Sequence, residues 1–401
     1  MESTGVYTPF SRQELIPKAE RLEVKLRGGN LSIGIPKEIH LQEKRVCLNP
    51  DAVQVLVANG HEITIESGAG EGANYADNEY SEAGAKISYD PKEVFSKPVV
   101  LKVNPVTDKE IEMLNPDSFL VSTVQINMQT RTYFEKLSAK KTTAIGFEFI
   151  KDAHGYLPIV RLLSEIAGTA SILLAGELLS NTNGGNGILM GGVAGIRPTE
   201  VVILGGGTVG EYASKAALGL GASVRVFDDS LSRLRRLQTD LGVRVSTSML
   251  DPKELAKSLK RCDVAIGALR GEVRAPCVVT EKMVKNMKPG AVVIDLSIDN
   301  GGCFETSEIT TLDNPIVIKH GVIHYGVANI TSRVARTATK AMSNFFMPYL
   351  LKIANEGGFE RVVKSDLGLR EGIYLFHGRV TNQQVSEWFD LNFHDINLLI
   401  V

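Results

Sequence analysis

The chain has 401 residues, is 43% hydrophobic and 22% charged, and carries a formal net charge of -2. That length suits two ordinary domains or one large one, the balance is that of a globular protein, and the net charge gives no argument for nucleic-acid binding. Four scattered cysteines without a C-x-x-C pair argue against a disulfide scaffold or a zinc cluster, and no secretory leader or uninterrupted apolar span is found, so the sequence reads as a soluble cytoplasmic protein with no membrane span and no metal site.

Residues 1–30 are polar and form an N-terminal extension. Leu31–Pro36 alternates apolar and small residues and reads as the first strand. Pro50–Asn59 reads as a helix, His61–Ser67 as a second strand, and Gly68–Gly72 as a loop. Val99–Val103, Phe119–Val124 and Ala144–Phe147 are further strands, and the alternation with helices implies a parallel, layered first domain ending near Tyr156–Ile159. Ser164–Ser180 is a long Ala- and Leu-rich helix, suited to crossing between domains. Asn181–Gly195 is too glycine-dense to be regular. Farther on, Val264–Gly267 and Ala291–Asp295 read as strands around a helix at Thr280–Met287. Arg336–Ile353 is a second long helix, after which the chain returns toward the first domain and ends with a helix at Asn382–Phe389.

Between the two long helices lies the most informative stretch. An apolar run, Val201–Leu204, leads into Gly205-Gly206-Gly207-Thr208-Val209-Gly210, which satisfies G-x-G-x-x-G. A helical pattern and a second apolar run, Ala222–Phe227, then end at Asp228. Gly205 permits the tight turn, Gly207 lets backbone approach a pyrophosphate, and Gly210 lets the helix pack closely on the strand. The helix start at Thr208 and Val209 offers its amides and the positive end of its dipole to phosphates. Asp228 stands 23 positions after Gly205, where an acid accepts from the adenosine ribose hydroxyls. An acid there, with no adjacent arginine for a 2′-phosphate, favours NAD over NADP.

Other motifs carry a resemblance. Gly34–Glu38 (GIPKE), Arg45-Val46, Glu66–Gly70 and Tyr80–Ala85 resemble the first domain shared by alanine dehydrogenase and the soluble part of nicotinamide nucleotide transhydrogenase. Gly184–Pro198, Met287–Gly290, Asp299–Thr306 (DNGGCFET) and His324–Asn329 (HYGVAN) look like alanine dehydrogenase in particular. Leu101–Asn104 (LKVN) is closer to the transhydrogenase pattern, but the Arg-Ala-Gln-x-x-Asp loop of that subunit has no counterpart in Gly155–Leu163.

The resemblance implies a fold of two Rossmann-like doubly wound α/β domains linked by long helices, with the active site in the interdomain cleft. It places a substrate domain at 31–158 and 336–401 and an NAD-binding domain at 159–335. It implies oxidation of an amino acid by hydride loss to the nicotinamide, giving an iminium that water hydrolyses to an oxo acid and ammonia. Arg45 matches the carboxylate-binding arginine, whose planar fork suits a carboxylate, and Asp299 matches the catalytic aspartate. Ser164 matches a serine on the cofactor phosphates or ribose, Arg233 a basic position beside the adenosine, and Asn329 a residue near the nicotinamide. His324 is read as mainly structural.

Two positions depart from the family. Its catalytic lysine falls on Asn104 and its catalytic histidine on Gln125, and neither amide titrates. Lys102 precedes Asn104 by two on a strand, so the two share a face, and its ammonium is the candidate replacement. The main reading is an NAD-dependent alanine dehydrogenase acting on a small amino or 2-oxo acid, assembled as a homo-oligomer, either dimer or hexamer. The alternatives are a transhydrogenase α-like subunit and a non-catalytic NAD(H)-binding protein on the same scaffold.

Overall fold

The computed structural model describes residues 29–40, 43–271 and 274–400. Residues 1–28, read above as most of an N-terminal extension, lie outside the described residues. The chain forms two compact units. One takes it up to Leu162 and again from Ala335, and the other is Leu163–Val334.

In chain order the strands are β1 (Ser32–Ile35), β2 (Glu62–Glu66), β3 (Lys86–Ser88), β4 (Val99–Leu101), β5 (Phe119–Ser122) and β6 (Thr143–Gly146). Next come β7 (Glu200–Leu204), β8 (Ser223–Asp228), β9 (Ser246–Met249), β10 (Val264–Gly267), β11 (Val292–Asp295), β12 (Ile316–Lys319) and β13 (Val322–Tyr325). The last two are β14 (Ile373–Phe376) and β15 (Arg379–Val380).

The first unit holds the sheet β15-β14-β6-β5-β4-β1-β2-β3. From β6 to β3 every pairing is parallel. Its central strands are short, and β4 and β6 are buried throughout, as a sheet covered on both faces requires. The sheet is mixed rather than wholly parallel: β14 runs antiparallel to β6, and β15 antiparallel to β14. The β14–β15 pair is a hairpin with a two-residue turn at His377 and Gly378, both with positive φ. The helix Ala335–Asn355 fixes the segment after Lys44. The Val46 amide donates to Thr339 Oγ1 and the Asn49 amide to Ser343 Oγ. Asn49 in turn caps the helix Pro50–Ala58.

The second unit holds the sheet β12-β13-β11-β10-β7-β8-β9, parallel except for the β12–β13 hairpin. That hairpin turns at His320 and Gly321, again with positive φ. The helix read as Ser164–Ser180 runs from Pro158 to Leu179. Proline is preorganised for a first helical turn, so the helix opens six residues earlier than its apolar pattern. By length and composition it alone among the described helices is apolar enough to cross a membrane, with 39% of its most apolar window buried.

In both sheets the strand order reverses around one strand. β1 stands between β2 and β4, and β7 between β8 and β10. In a doubly wound sheet, ligands collect beyond the carboxyl ends of the strands at such a reversal.

Candidate active site

In the second unit the reversal point carries the glycine turn. Gly205 has φ +115°, and a Cβ there would lie 2.4 Å from the Ala268 carbonyl oxygen. A Cβ on Gly210 would lie 1.8 Å from the Gly205 carbonyl oxygen, so the helix Thr208–Gly219 can seat on β7 only with glycine at that position. At Gly207 the added atom would meet nothing within 4 Å, so that side of the turn is open. Thr208 and Val209 begin the helix with amides that have no acceptor inside it. An open face, outward amides and a positive helix end fit a pyrophosphate.

Asp228, at the end of β8, braces this turn. Its Oδ2 accepts from the Gly206 amide at 2.6 Å, and its Oδ1 accepts from the Ser230 amide at 2.8 Å. Its side chain is 1% exposed, and the Arg233 guanidinium lies 3.6 Å away. The acid read as a ribose acceptor is thus also the strut of the glycine turn. Arg236 donates to the Gly206 carbonyl from the following helix.

The helix Pro158–Leu179 packs against the start of Thr208–Gly219, where a Cβ on Gly168 would lie 2.4 Å from the Val209 carbonyl oxygen. Half-buried Ser164 stands one helical turn before that contact. Asp299 lies exposed on a short 3₁₀ turn, Ile298–Asn300, just beyond β11. Asn329, beyond β13, adopts a left-handed conformation (φ +59°) and accepts from Thr331 Oγ1 at 2.7 Å. Its neighbour His324 is buried, pairs with Thr306 Oγ1 at 2.8 Å, and is pushed below the ordinary histidine range by burial. The second ring nitrogen, Nδ1, lies 3.0 Å from the Val322 carbonyl, so both nitrogens of His324 have partners inside the second unit.

In the first unit the reversal at β1 and β4 gathers an ionic cluster. Glu38 follows β1 and Lys102 follows β4. Lys102 Nζ lies 2.5 Å from Glu38 Oε2 and 3.6 Å from Glu110 Oε1, with side chains 1%, 5% and 5% exposed. Glu38 Oε1 also accepts from the Val103 amide at 2.6 Å and, at longer range, from the Asn104 amide. Burial pushes the Glu38 carboxyl up to about 6, against the opposing pull of Lys102. Burial alone would lower Lys102, but Glu38 and Glu110 overcome it and hold the ammonium above its ordinary range. Lys102, read as a replacement acid or base, is therefore enclosed between two carboxylates and shielded from solvent.

Arg45 is clasped by Glu43 through two parallel bonds, Nε to Oε1 at 2.7 Å and Nη2 to Oε2 at 2.6 Å. Burial disfavours the guanidinium, and Glu43 outweighs it. Beyond β5, Gln125 Nε2 donates to Asn104 Oδ1 at 3.1 Å, so the two departures from the family pattern bond to each other. Beyond β6, Glu148 accepts from the Val124 and Gln125 amides. Sequence reasoning assigned no role to Glu43, Glu110 or Glu148, and none to Glu38 beyond its place in GIPKE. The available signal was position: Glu38 and Glu148 fall just past carboxyl ends of strands, and Glu43 stands two before Arg45.

Strand, glycine turn, helix and acid-ended second strand at a sheet's reversal point define a dinucleotide-binding protein of the doubly wound class. The family profiles described as "Alanine dehydrogenase/PNT, N-terminal domain" and "C-terminal domain" match residues 34–167 and 171–383. The chain belongs to the alanine dehydrogenase/PNT family. It is 41% identical to an alanine dehydrogenase of Methanococcus maripaludis over 362 residues, covering 90% of this chain and 96% of that one. Identity to alanine dehydrogenase 2 of Staphylococcus aureus is 39% over 368 residues, covering 91% and 98%. Among solved structures, an L-alanine dehydrogenase superposes with a TM-score of 0.84 at 37% identity, covering 90% of this chain and 99% of that one. A transhydrogenase from Sinorhizobium meliloti shares the fold at a TM-score of 0.75 and 22% identity, covering 88% and 99%.

Proposed function

We propose that the protein is an NAD-dependent amino-acid dehydrogenase that converts L-alanine and water to pyruvate and ammonia, and runs the reverse reductive amination. The observation that carries this reading is identity of about two-fifths to alanine dehydrogenases over nine-tenths of the chain. NAD, when bound, supplies the hydride acceptor. The turn Gly205–Gly207 and the helix start at Thr208 and Val209 would hold its pyrophosphate, with Gly210 letting that helix seat on β7. Asp228 and Arg233 would take its adenosine ribose, and Ser164 and Asn329 would border the remainder. Arg45, oriented by Glu43, binds the substrate carboxylate. Asn104 and Gln125 hydrogen-bond the substrate, and Asp299 takes and returns the protons of the substrate nitrogen and of the water that attacks the iminium. Lys102 keeps Glu38 ionised and in place beneath the Asn104 backbone.

The protein acts as a homo-oligomer. Leu173, Leu189, Val193, Ile196 and Leu220 are exposed by 45% to 70%. Leu173, Leu189 and Leu220 line a groove of about 490 Å³ in the second unit. Exposed apolar side chains around such a groove fit a second copy of the chain.

One observation favours a second reading, an NAD(H)-binding protein without turnover: the two amides bonded to each other stand where the family has titrating groups. Incubation with NADH, ammonium and a panel of 2-oxo acids separates the two. Pyruvate turnover sinks the second reading, and NADH binding without turnover on any oxo acid sinks the first.

A further inference from the structure

We infer that Asp295 is a positioning residue for Asp299, an inference that rests on the reading of Asp299 as the proton-moving carboxylate. Asp295 is the last residue of β11 and is 1% exposed. A buried carboxylate needs partners for its charge, and three of the groups that donate to Asp295 flank the loop that carries Asp299, with Ser307 a few residues beyond. Oδ1 accepts from the Ser297 amide at 3.1 Å. Oδ2 accepts from the Cys303 amide at 2.8 Å, the Phe304 amide at 3.3 Å and Ser307 Oγ at 2.7 Å.

These bonds clamp both feet of the segment 298–302. Between them the segment closes on itself, the Asn300 amide donating to Ser297 O and the Gly301 amide to Ile298 O. Asp299 stands exposed at the apex. The neighbouring backbone is shaped around the same carboxylate. A Cβ on Gly267 of β10 would lie 2.8 Å from Asp295 Oδ1, and one on Gly302 would lie 2.8 Å from Oδ2. Gly302 also has φ +76°, which an L side chain rarely adopts. From the other side, Ser297 Oγ donates to the Leu269 carbonyl at 2.7 Å, tying the same foot to the loop after β10. One buried carboxylate thus converts the end of a core strand into a fixed platform for an exposed one. Asp295 never touches the substrate; it acts through where it holds Asp299.

Asparagine keeps the shape of Asp295 but cannot accept at both oxygens. In Asp295→Asn, amide hydrogen exchange at 297–304 should speed up at least about tenfold while β7 and β10 keep their protection. With pyruvate and ammonium, kcat should fall about 10- to 100-fold with KM for NADH unchanged, because a small misplacement of a catalytic group has that effect. In an Asp299→Asn background the same change should alter kcat by less than about twofold, since the group it positions is already gone. Unchanged exchange at 297–304, or losses that multiply in the double variant, would overturn the inference. Should Asp295→Asn not fold, Ser307→Ala removes a single bond and carries the same exchange test at Cys303 and Phe304. If the wild-type protein turns over no amino or oxo acid, the proposed function fails by itself, and the exchange experiment still decides whether Asp295 holds the loop.

Discussion

Replacing Lys102 by methionine isolates the energetics of the buried cluster in the first unit. The methionine fills nearly the same volume and removes only the charge. Its loss leaves Glu38 and Glu110, each 5% exposed, without the cation that lay 2.5 Å and 3.6 Å away. Removing one partner of a buried ion pair costs about 3–5 kcal/mol, because the remaining charge is stranded in a medium that solvates it poorly. For a domain of this size that corresponds to a drop in Tm of roughly 6–20 °C.

The sign of the pH dependence follows from Glu38. Its folded-state carboxyl is raised to about 6, so its protonation favours the fold. That contribution is fully present below the unfolded value and is lost as pH rises through the folded one. Without Lys102 the folded value climbs further, so the deficit should be largest near pH 8 and shrink toward pH 5, an order-of-magnitude window set by linkage. Thermal and urea melts of wild type and Lys102→Met at both ends of that range measure it. The companion Lys102→Met/Glu38→Gln should recover part of the loss. A variant within about 1 kcal/mol of wild type at the alkaline end, or a deficit that grows on acidification, would refute the reasoning.

Arg45→Ala should raise KM for pyruvate about 10- to 100-fold, the scale of a lost charge-assisted bond, and leave the Kd for NADH unchanged. Lost NADH binding would mean that Arg45 serves the cofactor instead. Gly210→Ala should weaken NADH binding severely and lower stability by about 1–3 kcal/mol, since its Cβ would need the space of the Gly205 carbonyl. Titration of NADH fluorescence together with a melt would read both effects. Asn104→Lys combined with Gln125→His should raise kcat about 10²-fold, the lower range for an acid–base pair. Steady-state rates with pyruvate and ammonium decide it, and an unchanged kcat would show that the proton moves by another route. Leu189→Glu with Ile196→Glu should shift sedimentation to a smaller species.

Much of the second unit was legible because its signals are local. Val201–Leu204, three glycines and Asp228 each have a backbone reason that needs no distant partner, and the strand at Val264–Gly267 fell where its apolar run predicted. Both antiparallel hairpins escaped, since β12, β13, β14 and β15 are short and their turns hinge on His320 and His377 in left-handed conformations, which the residue type does not announce. Edge strand β9, Ser246–Met249, has no apolar pattern to read because it is only half covered. In the first unit strand periodicity alone points to Lys102 and says nothing of what surrounds it. Its partners Glu38 and Glu110 stand 64 residues before and 8 after it, and only the parallel pairing of β1 with β4 brings Glu38 and Lys102 together.

The strut between Asp228 and the Gly206 amide bears on how quickly a nucleotide is captured. A glycine-rich turn left to itself samples many backbone conformations, and a ligand must select one of them. Here the carboxylate ties the turn down from beneath, through Gly206 on one side and Ser230 on the other. Two bonds to one buried carboxylate narrow the conformations the turn can sample before a nucleotide arrives. Narrowing them should speed association, so differences in affinity among nucleotides should be expressed mainly in how long each one stays.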